Sequence, residues 1–268
     1  PDGVDECVTC VAVVSLQHVF IKEKFYFLFS FLFGVGFGLQ QEKANVGGEE
    51  FEARHRSRML GLLFLGAVHS LFWIGDILTV YALLGLLLPR FRRIDSNALS
   101  WWALVFLLSP VAIELMHSLS GGRWRLSMLL LAKGQQWHAA FGVPDFVGDR
   151  SSLRDFFLGN VAGVFTRWGH LLDSGRLFKV LAMFLMGLGA VRSGLVENWR
   201  DRRAFLRRVA WGGLFLGVAA NAAMEAVRLA PKLALGLPGL FVEAAFCFLG
   251  TAPMSLAYAA IVALAWMR

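Results

Sequence analysis

Apolar residues along this chain fall in blocks of about 15–25, set apart by short polar stretches, and blocks of that length span a bilayer as helix. They predict spans at roughly 25–39, 56–74, 77–90, 97–115, 177–192, 207–228 and 240–267. The expected fold is all-α: a polytopic bundle of about seven transmembrane helices forming a single membrane domain over residues 1–268.

The block Met59–Leu88 is the most telling. Among its thirty residues only His69 and Asp76 can carry a charge near neutral pH. As one helix it would run about 45 Å, against a hydrocarbon core of about 30 Å. It would also put Arg54, Arg56 and Arg58 on the opposite side from Arg90, Arg92 and Arg93. A break near Gly75–Asp76 turns it into a hairpin, with both basic flanks on one side and the Trp73–Asp76 tip on the other.

Phe25–Leu39 predicts a helix whose Gly34, Gly36 and Gly38 offer a small-residue face for close helix contact. Its GxGxG string follows no strand and is surrounded by Phe, so it does not read as a nucleotide loop. Cys7–Ile21 reads as an interfacial or partial helix, and Gln40–Arg58 as a polar loop. Trp101–Trp102 forms an interfacial belt ahead of an expected kink at Pro110. The stretch 118–175, broken by Gly121–Gly122, Pro144 and Gly148, reads as an outer or interfacial segment with amphipathic helices. A loop around Pro238 and a bend at Pro253 are expected in the last part of the chain.

Composition agrees: 57% of residues are hydrophobic and 17% charged, against about 45–50% and 25% for soluble domains. The net charge of +7 does not indicate nucleic acid, because the basic residues concentrate in short loops. Loops 40–58, 89–96 and 192–208 hold four, three and six Lys or Arg. They share one side on this topology, and the positive-inside rule makes that side cytoplasmic. This predicts a multi-pass protein of the bacterial inner membrane, with membrane lipid as its partner and a homo-oligomer left open. Cys7 and Cys10 form a CVTC pair with no second pair to complete a zinc site, so no metal site is expected.

Ionisable residues inside spans are costly and point to function. His69 and Asp76 therefore lead the catalytic candidates. Histidine can take and return a proton near neutral pH, and Asp76 would orient or neutralise it. The structural alternative for Asp76 is a cap on the next helix. His18 is the third candidate, on the same outer side. Glu114 with His117, and Glu225 with Arg228, each sit three apart on one helical face and can neutralise themselves. In the run Trp199–Arg208, Arg202 and Arg203 could grip the phosphates of an acyl-CoA, as could Arg56 and Arg58 in the earlier loop. Topology anchoring and anionic lipid headgroups remain the alternatives there.

KFYFLFSFLFGVGFGLQ (24–40), and then RSRMLGLLFLGAVHSLFWIGDILTVYALLGLLL (56–88), resemble the YeiB-like membrane proteins, known as domain-of-unknown-function family 418. The pattern runs through His69, Leu71, Trp73, Gly75, Asp76, Ile77, Leu78, Tyr81 and Gly85, and a weaker match continues over 182–195. The family's opening Asp-x-x-Arg-Gly helix and its later Gly-Arg-Met-Ala-x-Thr-Asn-Tyr motif have no counterpart, so the resemblance implies a fragment without the first and last helices. It also implies distant similarity to transmembrane acyltransferases such as heparan-alpha-glucosaminide N-acetyltransferase, with acyl-CoA as co-substrate. By position in that family, the catalytic histidine corresponds to His18; by preserved motif, His69 ranks first. The expected function is an integral-membrane acyltransferase. The alternatives are a transporter or proton-coupled protein and a non-catalytic membrane protein.

Overall fold

The computed structural model describes residues 8–44, 48–121, 125–142, 152–230 and 245–267. Cys7, Gly122, Pro144, Gly148, the Pro238 loop and the start of the 240–267 block lie outside the described residues. Among the described residues the fold is all-helical, with no strand.

The order is α1 (Val8–Phe20), α2 (Lys24–Lys43), α3 (Gly48–Phe72), α4 (Leu78–Gly85), a short 3-10 turn Leu88–Phe91, α5 (Ser96–Leu119), α6 (Leu126–Phe141), α7 (Leu153–Asp173), α8 (Arg176–Arg192), α9 (Arg203–Leu229), a π-helical turn Cys247–Thr251 and α10 (Ala252–Trp266). Among the described residues, three helical stretches are long and apolar enough to cross a membrane: Ser96–His117, Arg203–Leu229 and Cys247–Trp266. A fourth follows if α7 and α8, bent by 65°, count as one broken span. Only 28% of the apolar window of Ser96–His117 is buried within the protein. Trp211, Phe215 and Phe64 likewise stand exposed. Apolar surface left open on this scale is what lipid covers, and the chain is a helical membrane protein.

The elements depart from the sequence reading in two places. Most of the expected polar loop 40–58 is helix: α2 runs to Lys43 and α3 starts at Gly48. Phe51, His55 and Met59 are buried at spacings of four along the charged part of α3, so the charges there decorate one face of a helix. The second arm of the hairpin is short. α4 has eight residues, about 12 Å of helix, and the 3-10 turn finishes the arm. α5 continues as helix through Pro110.

The hairpin break is where the flanking arginines placed it, with α3 ending at Phe72 and α4 beginning at Leu78. Both flanks meet at one end of the bundle. Arg92 pairs with Glu52, and His55 Nε2 lies 2.9 Å from the Gly85 carbonyl oxygen. Arg192 donates to the Phe91 carbonyl at 3.1 Å and also to those of Arg92 and Ile94.

The core is the parallel contact of α2 with α8. A Cβ on Gly34 would fall 2.7 Å from the Phe184 carbonyl carbon, and one on Gly38 would fall 2.9 Å from Val191 Cβ, whereas Gly36 meets open space. Of the three glycines, then, the pair four apart makes the contact, and Gly36 points away from it. Phe33 stacks on Phe184 at 4.5 Å beside this contact. The corner between α7 and α8 needs Gly175: its φ is +60° and a Cβ would sit 2.9 Å from Pro110 Cγ.

Candidate functional site

Two polar clusters form at one end of the bundle. In the first, Ser15 and His18 sit one turn apart on α1 and both reach Glu225 on α9. Ser15 Oγ donates to Glu225 Oε1 at 2.8 Å, and His18 Nδ1 lies 3.0 Å from Oε2. Arg228, one turn further along α9, adds Nε at 3.0 Å from each oxygen and a second nitrogen 2.6 Å from Oε1. An ionised carboxylate only accepts, so Nδ1 carries the proton and a neutral His18 leaves Nε2 with a free lone pair. The His18 side chain is 23% exposed and that of Glu225 is 9%.

Lys24 lies beneath this pair, at the very start of α2. Its Nζ donates to the His18 carbonyl at 2.6 Å and to Asn221 Oδ1 at 2.7 Å. Burial pushes the Lys24 amine down to about 8, against the pull of the Glu23 carboxylate. Glu23 pairs with Arg176 at the head of α8. Burial drives the Glu23 carboxyl up, but Arg176, Lys179, Lys22 and Lys24 outweigh that and hold it below the ordinary range. Glu23 has a φ of 67°, and it is the one non-glycine residue with positive φ among those described. That conformation carries strain. Ser255 Oγ donates to the Lys24 carbonyl at 2.9 Å and Tyr258 Oη to the Phe20 carbonyl at 2.8 Å, so α10 also ties into this end.

The second cluster holds the other two sequence candidates. His69, in the last turn of α3, has Nδ1 3.0 Å from Asp76 Oδ1. Asp76 is buried in the break and accepts from the backbone N–H groups of Leu78 at 3.0 Å and Thr79 at 2.9 Å. It therefore caps α4, the structural role foreseen for it, while also holding His69. Arg167 from α7 donates to the Asp76 carbonyl at 2.8 Å. The His69 side chain is 45% exposed. It shares α3 with the exposed Phe64, Leu65, Val68 and Phe72, so its ring borders a lipid-facing surface.

The three catalytic candidates thus resolve into two separate histidine–carboxylate pairs. Glu114 and His117 form a third, buried pair 3.6 Å apart. Sequence reasoning missed the partnership of His18 with Glu225, and it missed Lys24, Lys179 and Asn221, all buried. One available signal was the i, i+4 placement of Asn221 and Glu225, which sets two polar groups on one face of an apolar helix.

The four arginines assigned to a cofactor lie at the opposite end. Arg58 bonds Gln40. Arg56 lines a cavity of about 540 Å³ with Glu52, His55 and Arg90. Arg202 and Arg203 are exposed at the head of α9. Just beyond them, Phe205 and Leu206 join Trp199, Phe31, Ala260 and Trp266 around a largely apolar groove of about 720 Å³.

Comparison with known proteins places the chain among uncharacterised relatives. It is 31% identical over 235 residues to the uncharacterised protein YxaH of Bacillus subtilis (strain 168), covering 85% of this chain and 58% of that protein. It is 36% identical over 118 residues to an uncharacterised 39.9 kDa protein in the amylase 3′ region of Bacillus acidopullulyticus, covering 41% of this chain and 34% of that one. The chain therefore spans a little over half the length of the first relative and about a third of the second. No family model matches it, and no solved structure does.

Proposed function

We propose that this chain is the acyl-transferring part of a multi-pass inner-membrane protein of the YeiB-like kind, with His18 as its general base. The observation that carries this reading is the His18–Glu225 pair. The carboxylate fixes Nδ1–H and leaves Nε2 free, Arg228 and Ser15 hold the carboxylate, and the ring keeps an open edge. That is the layout of a general base. His69 has the same kind of partner but lies on a more open face, so it ranks second here, the reverse of the order its motif suggests.

In the reaction, an acceptor hydroxyl or amine gives its proton to His18 Nε2 as its oxygen or nitrogen bonds the thioester carbonyl carbon. The tetrahedral species then collapses, the C–S bond breaks and coenzyme A leaves as thiolate, which takes up a proton. Arg56, Arg58, Arg202 and Arg203 mark the cytoplasmic end, where phosphates of the donor would be held. In support of the seven-span topology, α2 and α8 run from the His18 end to the Arg192 end, and α3, α5 and α9 run back.

The test uses the purified chain in lipid nanodiscs with radiolabelled acetyl-CoA and a panel of hydroxyl and amine acceptors. Acetyl transfer that Glu225→Gln slows about a hundredfold supports the reading, in line with the usual worth of a positioned base. Proton-coupled solute uptake in proteoliposomes with no consumption of acetyl-CoA overturns it in favour of a transporter.

A further inference from the structure

Four cations, Arg176, Lys179, Lys22 and Lys24, act on the single carboxylate of Glu23. Arg176 takes it as an ion pair, and Lys24 is satisfied by Asn221 and the His18 carbonyl. Lys179, on the first turn of α8, is 4% exposed, and among the described residues its ammonium makes no hydrogen bond. The Glu23 carboxylate acts on it, but Arg176 already holds that carboxylate as an ion pair.

A second group points to the same place. The Tyr26 hydroxyl is buried and has no hydrogen-bond partner. The charges that act on it are those of Arg176, Arg167, Glu23 and Asp76, and the Arg176 guanidinium carbon lies 5.8 Å from its ring centroid. Arg167 acts on Arg176 as a like charge. It spends one N–H on the Asp76 carbonyl and has no carboxylate ion pair among the described residues, leaving most of its donors to other partners. Asp76 is itself committed to His69 and to the head of α4.

We propose that Lys179, Arg176, Arg167 and the Tyr26 hydroxyl form a binding site for one anionic group, a carboxylate or phosphate, at the His18 end of the bundle. The two guanidiniums supply planar donor forks. Lys179 supplies a further positive charge and Tyr26 a hydrogen bond. The strained backbone at Glu23 holds its carboxylate against Arg176, which sets that guanidinium in place. The site stands apart from any proton chemistry at His18, so it can fail without touching that reading, and the reverse also holds.

The test measures the thermal unfolding midpoint of the whole chain by tryptophan fluorescence. In neutral detergent, inorganic phosphate and acetate are titrated against chloride at matched ionic strength. In nanodiscs, phosphatidylglycerol is compared with phosphatidylcholine. A saturable rise with phosphate or acetate identifies a soluble anion. A rise with phosphatidylglycerol alone identifies a lipid headgroup. Either supports the site, provided Lys179→Met weakens the response about tenfold or more, the loss of one charge-assisted hydrogen bond. Lys179→Met is also expected to unfold no earlier than wild type in chloride. Tyr26→Phe, which keeps the ring, should weaken the response and leave the chloride midpoint in place, and it decides the matter should Lys179→Met not fold. No saturable rise with any of the anions, or a rise that both variants retain in full, overturns the proposal.

Discussion

Gly34→Ala should cost the protein heavily, while Gly36→Ala, two residues away on the same helix, should cost nothing. A methyl on Gly34 would lie 2.7 Å from the Phe184 carbonyl carbon and 2.9 Å from its Cα. Those are backbone atoms that cannot rotate aside. Restoring an ordinary contact moves α2 and α8 apart by roughly 1 Å, and a gap of that size forfeits about a quarter to a half of each dispersion contact across it. The contacts at risk include the Phe33–Phe184 stack at 4.5 Å. Overpacking of this kind costs about 1–3 kcal/mol, and the rigid backbone target puts Gly34→Ala at the upper end. Gly36 meets nothing within 4 Å, so its alanine brings only the helix-propensity gain of up to about 1 kcal/mol. The two variants should therefore differ by about 3 kcal/mol. Reversible unfolding in mixed micelles, followed by the fluorescence of the nine tryptophans, measures that difference. Equal stabilities for the two variants would refute the parallel α2–α8 contact.

Three further outcomes follow from the His18 end. The Lys24 amine titrates at about 8 in the folded chain and at about 10.4 when unfolded, so the unfolded state binds more protons between those values. Wild type should therefore gain stability as pH rises from about 8 to 10.4, by about 3 kcal/mol in all, relative to Lys24→Met; parallel pH curves for the two would contradict the burial of that charge. Glu225→Ala removes the acceptor for both Ser15 and His18, and hydrogen bonds to a charged group are worth about 1.5–3 kcal/mol each. Amide exchange across Val8–Phe20 should speed up by about tenfold or more, and unchanged protection of α1 would show that other contacts hold it. Asp76→Ala should lose about 1 kcal/mol or more as the α4 cap disappears, whereas Asp76→Asn should retain most of it; equal losses in chemical denaturation would show that the charge on Asp76 matters more than its cap.

The hairpin was legible because an over-long apolar block with arginines at both ends has few other solutions, and Gly75–Asp76 supplied the break. The small-residue face was legible in kind, but only the helical period separates Gly34 and Gly38 from Gly36. The helical reach of α3 into 48–58 was harder to read. Its Glu and Arg residues suggested a loop, yet both are good helix formers, and Phe51, His55 and Met59 carried the buried stripe. The pairing of His18 with Glu225 could not be read at all. The two stand 207 positions apart, and Glu225 had a ready local partner in Arg228 that accounted for its charge. Lys24 and Lys179 were not singled out in the sequence, although each is buried at the head of a core helix.

His18 and His69 are the two candidates to take the acceptor's proton. Single-turnover loss of bound acetyl-CoA in the presence of acceptor, measured side by side for wild type, His18→Asn and His69→Asn, tests this most directly. The prediction is a loss of about a hundredfold or more for His18→Asn, with His69→Asn remaining within a few-fold of wild type. Full turnover by His18→Asn together with its collapse in His69→Asn would contradict the assignment and return the base to the Asp76 hairpin.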